Sequence, residues 1–296
     1  MVTPTDVDVF EAHRGRLFGI AYRMLGSAAE AEDLVQDTYL RWSAADRREV
    51  EHPGAWLAKA VTHLCLNRLD SARVRRESYV GPWLPEPVLT SDGALGPLES
   101  AEQRDSVSLA LLVLLERLTP VERAVYVLRE AFAYSHREIA GLLDLTEANC
   151  RQLYHRAGRR VAAPRPRVTP DPEELRGLLD AFLAAAQQGD MARLERMLSA
   201  DVTYVSDGGG VVNAARRPVL GAQKVARFLV GAMGKYVAGV PVGHQEVNGA
   251  PALVFGELAV VVVEFDDGLV SGVRAVVNPE KLGFLRRQLS SGPSHP

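Results

Sequence analysis

Residues 136–161, HREIAGLLDLTEANCRQLYHRAGRRV, constrain the fold of this chain more than any other stretch. Apolar residues recur there at helical spacing in two short runs, and Asp144-Leu145 interrupts them. Thr146 follows the break, and its hydroxyl can cap a second helix by accepting a hydrogen bond from a free backbone N–H. The pattern therefore predicts two helices around a tight turn. The buried face of the second helix is predicted to hold Cys150, Leu153 and Tyr154.

The opposite face of that second helix carries side chains suited to DNA. Asn and Gln pair bidentately with adenine edges and Arg with guanine edges, while further Arg residues bind phosphate. No acidic residue occurs from Arg151 to Arg167. A solvated helical hairpin is the alternative, and a helix-turn-helix alone indicates DNA binding and nothing more specific. We predict base contacts from Asn149, Arg151, Gln152 and His155, and phosphate contacts from Arg156, Arg159 and Arg160.

Composition limits how such a helix can bind DNA. The 296 residues are enough for two or more domains, and the formal net charge is −3. DNA binding must therefore come from local patches of arginine, since lysine occurs only at positions 59, 224, 235 and 281.

The cysteines and the apolar runs bear on location and cofactors. Cys65 and Cys150 lie far apart on apolar helical faces, which indicates small core residues in a reducing compartment and neither a disulfide nor a metal pair. Residues 1–8 do not read as a signal peptide, and the apolar run 258–265 is too short to span a membrane. We predict a cytoplasmic protein without metal or cofactor and without a membrane partner.

The chain divides by composition into helical and mixed segments. Residues 1–77 predict a helical block, in which Pro53 suits the first turn of a helix. A Pro/Gly-rich linker at 78–100 precedes a second helical block at 101–163, and a Pro-rich linker covers 164–172. Residues 173–296 begin with helices and continue with short β-rich runs, which predict an α+β domain with a curved antiparallel sheet. These runs are 202–205, 252–256, 258–265 and 270–277.

The first 160 residues or so resemble bacterial RNA polymerase sigma factors of the extracytoplasmic-function type. AEDLVQDTYLRWSA is similar to region 2.2 of that family, and HPGAWLAKAVTHLCLNRLDSARVRRE is similar to regions 2.3 and 2.4. LTPVERAVYVLREAFAYSHREIAGLLDLTEANCRQLYHRAGRRV is similar to region 4. The resemblance implies two all-α sigma domains that bind core RNA polymerase, through its β′ clamp and β flap, and promoter DNA at the −10 and −35 elements.

The C-terminal segment resembles the SnoaL-like group, a cone-shaped α+β fold of the nuclear-transport-factor-like superfamily. One sigma subgroup carries this domain and is marked by WLPEP, DGGG and an NPxKL sequence. This chain has WLPEP at 83–87, DGGG at 207–210 and NPEKL at 278–282. A basic residue often follows DGGG in that subgroup, whereas Val211 stands here and Arg216-Arg217 come later. The fold class is therefore multidomain, with two helical sigma domains and a SnoaL-like regulatory domain.

The resemblance assigns further residues to a surface that binds polymerase and to a surface that binds the −10 element. Docking on the clamp is assigned to Glu32, Asp33, Gln36, Asp37, Arg41 and Trp42. A merely solvated acidic face is the alternative, and Trp42 could equally be a core residue. Contact with the −10 element is assigned to Asn67, Arg68, Ser71, Arg73, Arg75 and Arg76.

The three C-terminal motifs predict a regulatory contact between this domain and the sigma domains, in place of a separate anti-sigma factor. The residues assigned to it are Trp83, Leu84, Pro85, Asp207, Gly208, Gly209, Gly210, Asn278, Pro279, Glu280, Lys281 and Leu282, with Glu280 and Lys281 as exposed charges. The alternatives are a turn and a strand end without function, or an enzyme with a cyclase-like pocket. In an enzyme, Asp207 or His244 could serve as general base, although the sequence shows no convincing Asp–His pair. A regulator that binds DNA without polymerase is a further alternative.

Overall fold

The structure, a computed structural model, describes residues 6–46, 50–90, 93–95, 106–161 and 172–291, without the side chains of 70–77 and 172. The chain forms two units. Unit 1 combines Met1–Ser78 with Thr90–Ala162, and unit 2 combines Tyr79–Leu89 with Ala163–Pro296. No helix within the described ranges is long and apolar enough to cross a membrane.

The first helical block of unit 1 consists of α1 (Asp6–Leu25), α2 (Ala28–Ala44) and α3 (Pro53–Glu77), which pack against one another. Ser27 caps α2 as its sequence suggests, because its hydroxyl accepts a hydrogen bond from the Glu30 backbone N–H. Apolar side chains from all three helices form a core that includes Ile20, Leu34 and Val61. The helical block predicted for residues 1–77 is thus confirmed over the described residues.

The second helical block of unit 1 contains α4 (Leu109–Leu115), α5 (Pro120–Glu130), α6 (His136–Leu143) and α7 (Glu147–Val161). Helix α6 starts with a capping box of Ser135 and Glu138 and ends at Asp144, which adopts the left-handed conformation with φ 55°. The Thr146 hydroxyl then accepts a hydrogen bond from the Asn149 N–H at the start of α7. The helix-turn-helix is therefore present with the predicted break and cap, while Cys150 and Leu153 are buried and Tyr154 is half-buried.

Unit 2 begins with α8 (Pro172–Gln188) and α9 (Met191–Met197) and contains α10 (Ala222–Ala232), which continues as a π-helical turn over Met233–Val237. A short 3₁₀ turn (Pro279–Leu282) leads into α11 (Gly283–Ser291). The strands are β1 (Leu198–Asp207), β2 (Val219–Leu220), β3 (Val242–Val247), β4 (Ala250–Phe255), β5 (Ala259–Asp266) and β6 (Leu269–Val276).

These strands form one 6-stranded sheet in the order β2-β1-β6-β5-β4-β3. One face of the sheet packs against α8, α9 and α10 around a core that includes Phe182, Val225 and Val273. The α+β fold expected of a SnoaL-like domain is confirmed. The expectation of an antiparallel sheet is wrong at one place, because β1 and β6 pair in parallel. The long connection between β1 and β6 returns the chain to the middle of the sheet and makes that orientation possible.

Part of the predicted linker 78–100 belongs to unit 2. Leu89 forms an isolated antiparallel bridge with Val247, at the sheet edge formed by β3. The backbone N–H of Val88 donates to the Asn248 side chain at 3.0 Å, and that of Leu89 donates to the Gln288 side chain at 2.9 Å. Residues 79–89 are therefore held by side chains far away in sequence.

Candidate nucleic-acid interface and regulatory cluster

Helix α7 separates a buried stripe from an outward face. Cys150, Leu153 and Ala157 are buried. Gln152, His155 and Arg159 are exposed and lie opposite that stripe, at the helical spacing that puts them on one face. Among the described residues, Arg159 forms no ion pair with any other side chain. This face thus offers an amide, an imidazole and a guanidinium to a partner.

The other predicted DNA arginines of α7 contact carboxylates of the protein itself. Arg151 pairs with Glu147 one turn earlier on the same helix. Arg156 Nε lies 3.3 Å from Glu122 Oε1, and Arg160 Nη1 lies 2.6 Å from Glu122 Oε2. Both of these arginine side chains remain about half exposed. Their pairing with Glu122, a residue of α5, was not predicted, since the partners are separated by 34 and 38 positions along the chain.

On α2, the residues assigned to polymerase docking form one exposed stripe. Asp33, Gln36, Asp37 and Arg41 are exposed at i, i+3, i+4 and i+8 spacing, and Glu32 is half-buried beside them. Leu40, which the sequence assignment left out, lies on the same stripe and is 57% exposed. An exposed leucine among acidic residues is the signal that could have identified it.

Trp42 does not belong to that stripe. It is 2% exposed, its ring lies 5.5 Å from that of Trp56, and its indole N–H donates to the Asp6 carbonyl at 3.2 Å. The assignment of Trp42 to docking is corrected to the core alternative. An indole that is surrounded by helices and satisfied by a backbone carbonyl contributes to the packing of α1–α3.

The residues assigned to the −10 element follow one another on α3. Asn67 is exposed, and Arg68 is half-buried with its guanidinium 3.5 Å from Glu30. The side chains of Ser71, Arg73, Arg75 and Arg76 lie outside the described residues, although the helix that carries them extends to Glu77.

The first and second helical blocks contact each other within unit 1. Lys59 Nζ on α3 lies 2.7 Å from Asp144 Oδ1 in the turn of the helix-turn-helix, and His63 Nε2 lies 2.9 Å from the Leu142 carbonyl. The hydrogen bond from Lys59 lowers the pKa of Asp144. On the other side, Arg123 on α5 donates to the Met24 carbonyl at 2.7 Å.

Two buried arginines strengthen this contact. Arg23 on α1 donates from Nε to the Ser106 hydroxyl at 2.9 Å, and its guanidinium lies 5.1 Å from the centre of the Phe132 ring. Burial lowers the pKa of Arg23 to about 10 and that of Arg123 to about 10, so both stay charged at neutral pH. Each block therefore inserts a charged side chain into the other.

In unit 2, the structure brings the DGGG, WLPEP and NPEKL motifs together around Asp207. This carboxylate is fully buried and accepts hydrogen bonds from the Tyr79 hydroxyl at 2.5 Å and the Leu84 N–H at 2.7 Å. It also accepts from the Gly209 N–H at 3.1 Å and from Lys281 Nζ at 2.7 Å. We refer to Tyr79, Trp83, Leu84, Asp207, Asn278 and Lys281 as the Asp207 cluster.

Lys281 is the cation of this cluster, and its predicted exposure is wrong. Lys281 is 8% exposed, whereas Glu280 beside it is exposed as predicted. The Lys281 ammonium donates to the Leu84 carbonyl at 2.6 Å and lies 4.3 Å from the Trp83 ring and 4.7 Å from the Tyr79 ring. Electrostatic attraction to Asp207 and the two ring faces explains why this lysine turns inward.

The glycines of DGGG allow the chain to turn beside this cluster. Gly209 and Gly210 have φ of 61° and 76°, values that residues other than glycine rarely adopt. A Cβ atom at Gly210 would lie 3.1 Å from that of Val80, so the segment 79–89 passes close to the turn. Asn278 adds a hydrogen bond from its amide to the Tyr79 hydroxyl at 3.0 Å. Leu84, Pro85 and Leu282 are buried and Pro279 is exposed.

The two residues considered as general bases have different surroundings. The Asp207 carboxylate accepts four hydrogen bonds from the Asp207 cluster and the DGGG backbone, so its lone pairs are occupied. His244 on β3 lies with Nε2 at 2.7 Å from Asp180 Oδ1 on α8, an Asp–His pair that the sequence did not reveal. Both partners are exposed. Within the described ranges, no group of three or more His, Cys, Asp or Glu side chains could hold a metal ion.

Comparison with known proteins identifies the helical blocks. The model of Sigma-70 region 2 matches residues 9–75, and that of Sigma-70 region 4 matches residues 108–161. The chain is 36% identical over 295 residues to the ECF RNA polymerase sigma factor SigJ of Mycobacterium tuberculosis, covering 93% of both chains. It is 33% identical over 290 residues to the probable ECF RNA polymerase sigma factor SigI of the same species, covering 96% of this chain and 97% of that one.

A solved structure is similar over most of the length. The crystal structure of the extracytoplasmic-function sigma factor SigJ of Mycobacterium tuberculosis aligns with a TM-score of 0.76 and 32% sequence identity. The alignment covers 93% of this chain and 98% of that chain. The similarity thus includes the C-terminal unit as well as both helical blocks.

Proposed function

Because the chain belongs to the extracytoplasmic-function RNA polymerase sigma factors, which direct promoter-specific transcription initiation, we propose which of its surfaces bind polymerase and promoter. The observation that carries this proposal is the separation of faces on α2 and α7. Each helix buries one stripe of side chains and exposes the opposite stripe. The exposed stripe is acidic and polar on α2, as a basic protein surface requires, and on α7 it carries side chains that can bind base edges.

The stripe of Asp33, Gln36, Asp37 and Arg41 is proposed to dock on the β′ clamp of core RNA polymerase, with Glu32 at its margin and Leu40 as its apolar contact. Carboxylates on a rigid helix suit a basic partner surface, and they steer its approach as well as holding it. A leucine that is exposed in the free protein gains apolar burial on docking. The β flap is the proposed partner of region 4.

The promoter surfaces are proposed on α3 and α7. Asn67 is the candidate for a base contact in the −10 element, and Arg68 together with Ser71, Arg73, Arg75 and Arg76 is assigned to that element. On α7, Gln152 and His155 face outward as base readers, with Asn149 and Arg151 on either side, and Arg159 binds phosphate. Arg156 and Arg160 reach phosphate through the N–H groups that Glu122 leaves free, since a guanidinium has five.

Regions 2 and 4 are proposed to separate before both promoter elements are bound. In unit 1 they contact each other through Lys59–Asp144, Arg23–Ser106 and Arg123–Met24. A promoter instead presents its −10 and −35 elements as two separate sites, so binding both favours a form in which these contacts are broken. Core polymerase provides the binding free energy for this shift.

The SnoaL-like domain is proposed to bias that equilibrium, so that the chain requires no separate anti-sigma factor. Support comes from the segment 79–89, which leaves region 2 and is fastened to the Asp207 cluster before the chain reaches region 4. A stable Asp207 cluster therefore reduces the number of unattached residues in the connection between region 2 and region 4.

We propose that this C-terminal domain is not an enzyme. The relatives named above are transcription initiation factors, and the Asp207 carboxylate is fully engaged by hydrogen-bond donors. The exposed His244–Asp180 pair has the composition of a general-base dyad, but both side chains face solvent.

Three forms of the protein test the regulatory proposal: the full chain, a truncation after residue 163, and a truncation that removes Asn278 onward. Each is assayed for transcription with core polymerase on one promoter. We expect the truncations to differ from the full chain, because each removes part of the Asp207 cluster. Equal activity of all three would contradict regulation by the C-terminal domain and leave promoter recognition unaffected.

A further inference from the structure

Glu122 is a buried carboxylate to which the proposed function gives no role of its own. It is 2% exposed and occupies the third position of α5, where it forms a capping box with Thr119. The Thr119 backbone N–H and hydroxyl both lie 3.1 Å from Glu122 Oε2. This capping box fixes the orientation of the carboxylate at the start of the helix.

The same carboxylate holds two arginines of α7. Arg156 contacts one oxygen at 3.3 Å and Arg160 contacts the other at 2.6 Å. The two arginines are one helical turn apart, so both lie on one side of the buried stripe of α7. A fixed acceptor that is bound by two donors one turn apart defines both the rotation of α7 and its position along its axis.

A second carboxylate of α5 holds the other side of α7. The Tyr154 hydroxyl donates to Glu130 Oε1 at 2.6 Å, and the Tyr154 ring stacks on that of Tyr126 at 6.3 Å. Tyr154 lies on the opposite side of the buried stripe from Arg156 and Arg160. Helix α7 is thus attached to α5 on both sides, with Gln152, His155 and Arg159 facing away from α5 between the two attachments.

We propose that Glu122 is a positioning residue for −35 recognition. By holding Arg156 and Arg160, it sets the rotation of α7 and so determines which side chains meet the base edges. Loss of this contact lets the helix rotate about its apolar stripe, so that Asn149 or Arg156 competes with Gln152 and His155 for the groove. The proposal rests on the assignment of α7 to the −35 element and adds Glu122 as the residue that determines which −35 sequences are preferred.

The test is transcription with core polymerase on promoters randomised only at the −35 positions, comparing the full chain with Glu122→Gln. The substitution keeps the shape of the side chain and removes the charge that binds both arginines. We expect the ranking of −35 sequences to change, with individual sequences shifting by about fivefold or more relative to one another, as for a gained or lost base contact. Circular dichroism establishes that the variant is folded at the assay temperature.

Glu138→Gln is the matched control. Glu138 forms the corresponding capping box with Ser135, is exposed, and lies on α6, to which no base contact is assigned. It should leave the −35 ranking unchanged. The variant Arg156→Gln/Arg160→Gln should change the ranking as Glu122→Gln does, in addition to a uniform loss of transcription from its two phosphate contacts. Combining all three substitutions should change the ranking no further, because both variants break the same contact with Glu122.

Two results distinguish a failure of the Glu122 role from a failure of the −35 assignment of α7. If the wild-type chain prefers certain −35 sequences and Glu122→Gln lowers transcription from all of them by one common factor, Glu122 supports only the stability of region 4 and the positioning role is wrong. If the wild-type chain shows no −35 preference, the assignment of α7 itself fails.

Discussion

Lys281 Nζ lies 2.7 Å from Asp207 Oδ2, and neither residue is more than 8% exposed. The two residues lie 74 positions apart in the sequence, and their ion pair joins the NPEKL segment to the DGGG turn. Because the Leu84 carbonyl and N–H complete the site, this pair also fixes the segment 79–89.

Replacing Lys281 with Met should strongly destabilise unit 2. The substitution leaves the Asp207 carboxylate buried without its cation. Removing one partner of a buried ion pair lowers the free energy of unfolding by about 3–5 kcal/mol. Urea unfolding followed by tryptophan fluorescence measures the loss. Lys224→Met, at an exposed position, is the control. The double variant Asp207→Asn/Lys281→Met should recover much of the stability, and a single variant within about 0.5 kcal/mol of wild type would contradict this account.

Tyr79 should make unit 2 less stable in alkali. Burial, followed by the hydrogen bond to Asp207, raises the pKa of Tyr79 above its usual value. Tyr79 thus stays protonated in the folded protein above pH about 10, where the unfolded chain ionises. Its contribution to stability is complete below that pH and is lost as the pH rises through the folded-state pKa. Unfolding free energies measured from pH 8 to 11 should fall less steeply for Tyr79→Phe than for wild type, and parallel slopes would exclude this role.

Loss of the Lys59–Asp144 ion pair should favour the separation of regions 2 and 4. Both partners are substantially exposed, and exposed ion pairs contribute little to stability, so the equilibrium should shift by about fivefold or less. Asp144→Asn keeps a residue that tolerates the left-handed conformation and removes only the charge. The distance between fluorophores on α2 and α7 reports the separation. Arg14→Ala, which breaks an exposed pair within α1, should not change that distance.

Gln152 and Arg159 should have different effects on promoter binding, although both face outward on α7. Gln152→Ala should cost about 1–3 kcal/mol at one −35 position and relax the preference there. Arg159→Ala should weaken binding to all sequences and reduce the slope of log affinity against log salt by about 1. Binding of the polymerase complex to promoter variants at several salt concentrations distinguishes them. A sequence-dependent effect of Arg159→Ala would reverse the assignment.

Local chemistry allowed the helical part of the fold to be predicted from the sequence. Ser27, Thr146 and the break at Asp144 act on neighbouring backbone groups, so their effect can be inferred from a few residues. Strand β3, with the sequence VGHQEV, was not predicted because it lies at a sheet edge and alternates little between apolar and polar residues.

Long-range partners explain what the sequence could not reveal. Lys281 was expected at the surface, since isolated lysines rarely lie buried, and only the approach of Asp207 and the Trp83 ring reverses that preference. Likewise, the sequence predicts phosphate contacts for Arg156 and Arg160, whereas the fold places the Glu122 carboxylate beside both. The residues predicted to face outward on α7 could be identified from helical periodicity, whereas their intramolecular partners depend on tertiary packing.

Recognition of both promoter elements together with core polymerase is tested most directly by in vitro transcription with the purified full chain and core RNA polymerase on a genomic fragment library. We expect discrete start sites preceded by a shared −10 and −35 pair at constant spacing, with little binding to the same duplexes by the chain alone. Start sites no different from those of core polymerase alone, together with tight binding to duplex DNA in its absence, would contradict the account and indicate a regulator that acts without polymerase.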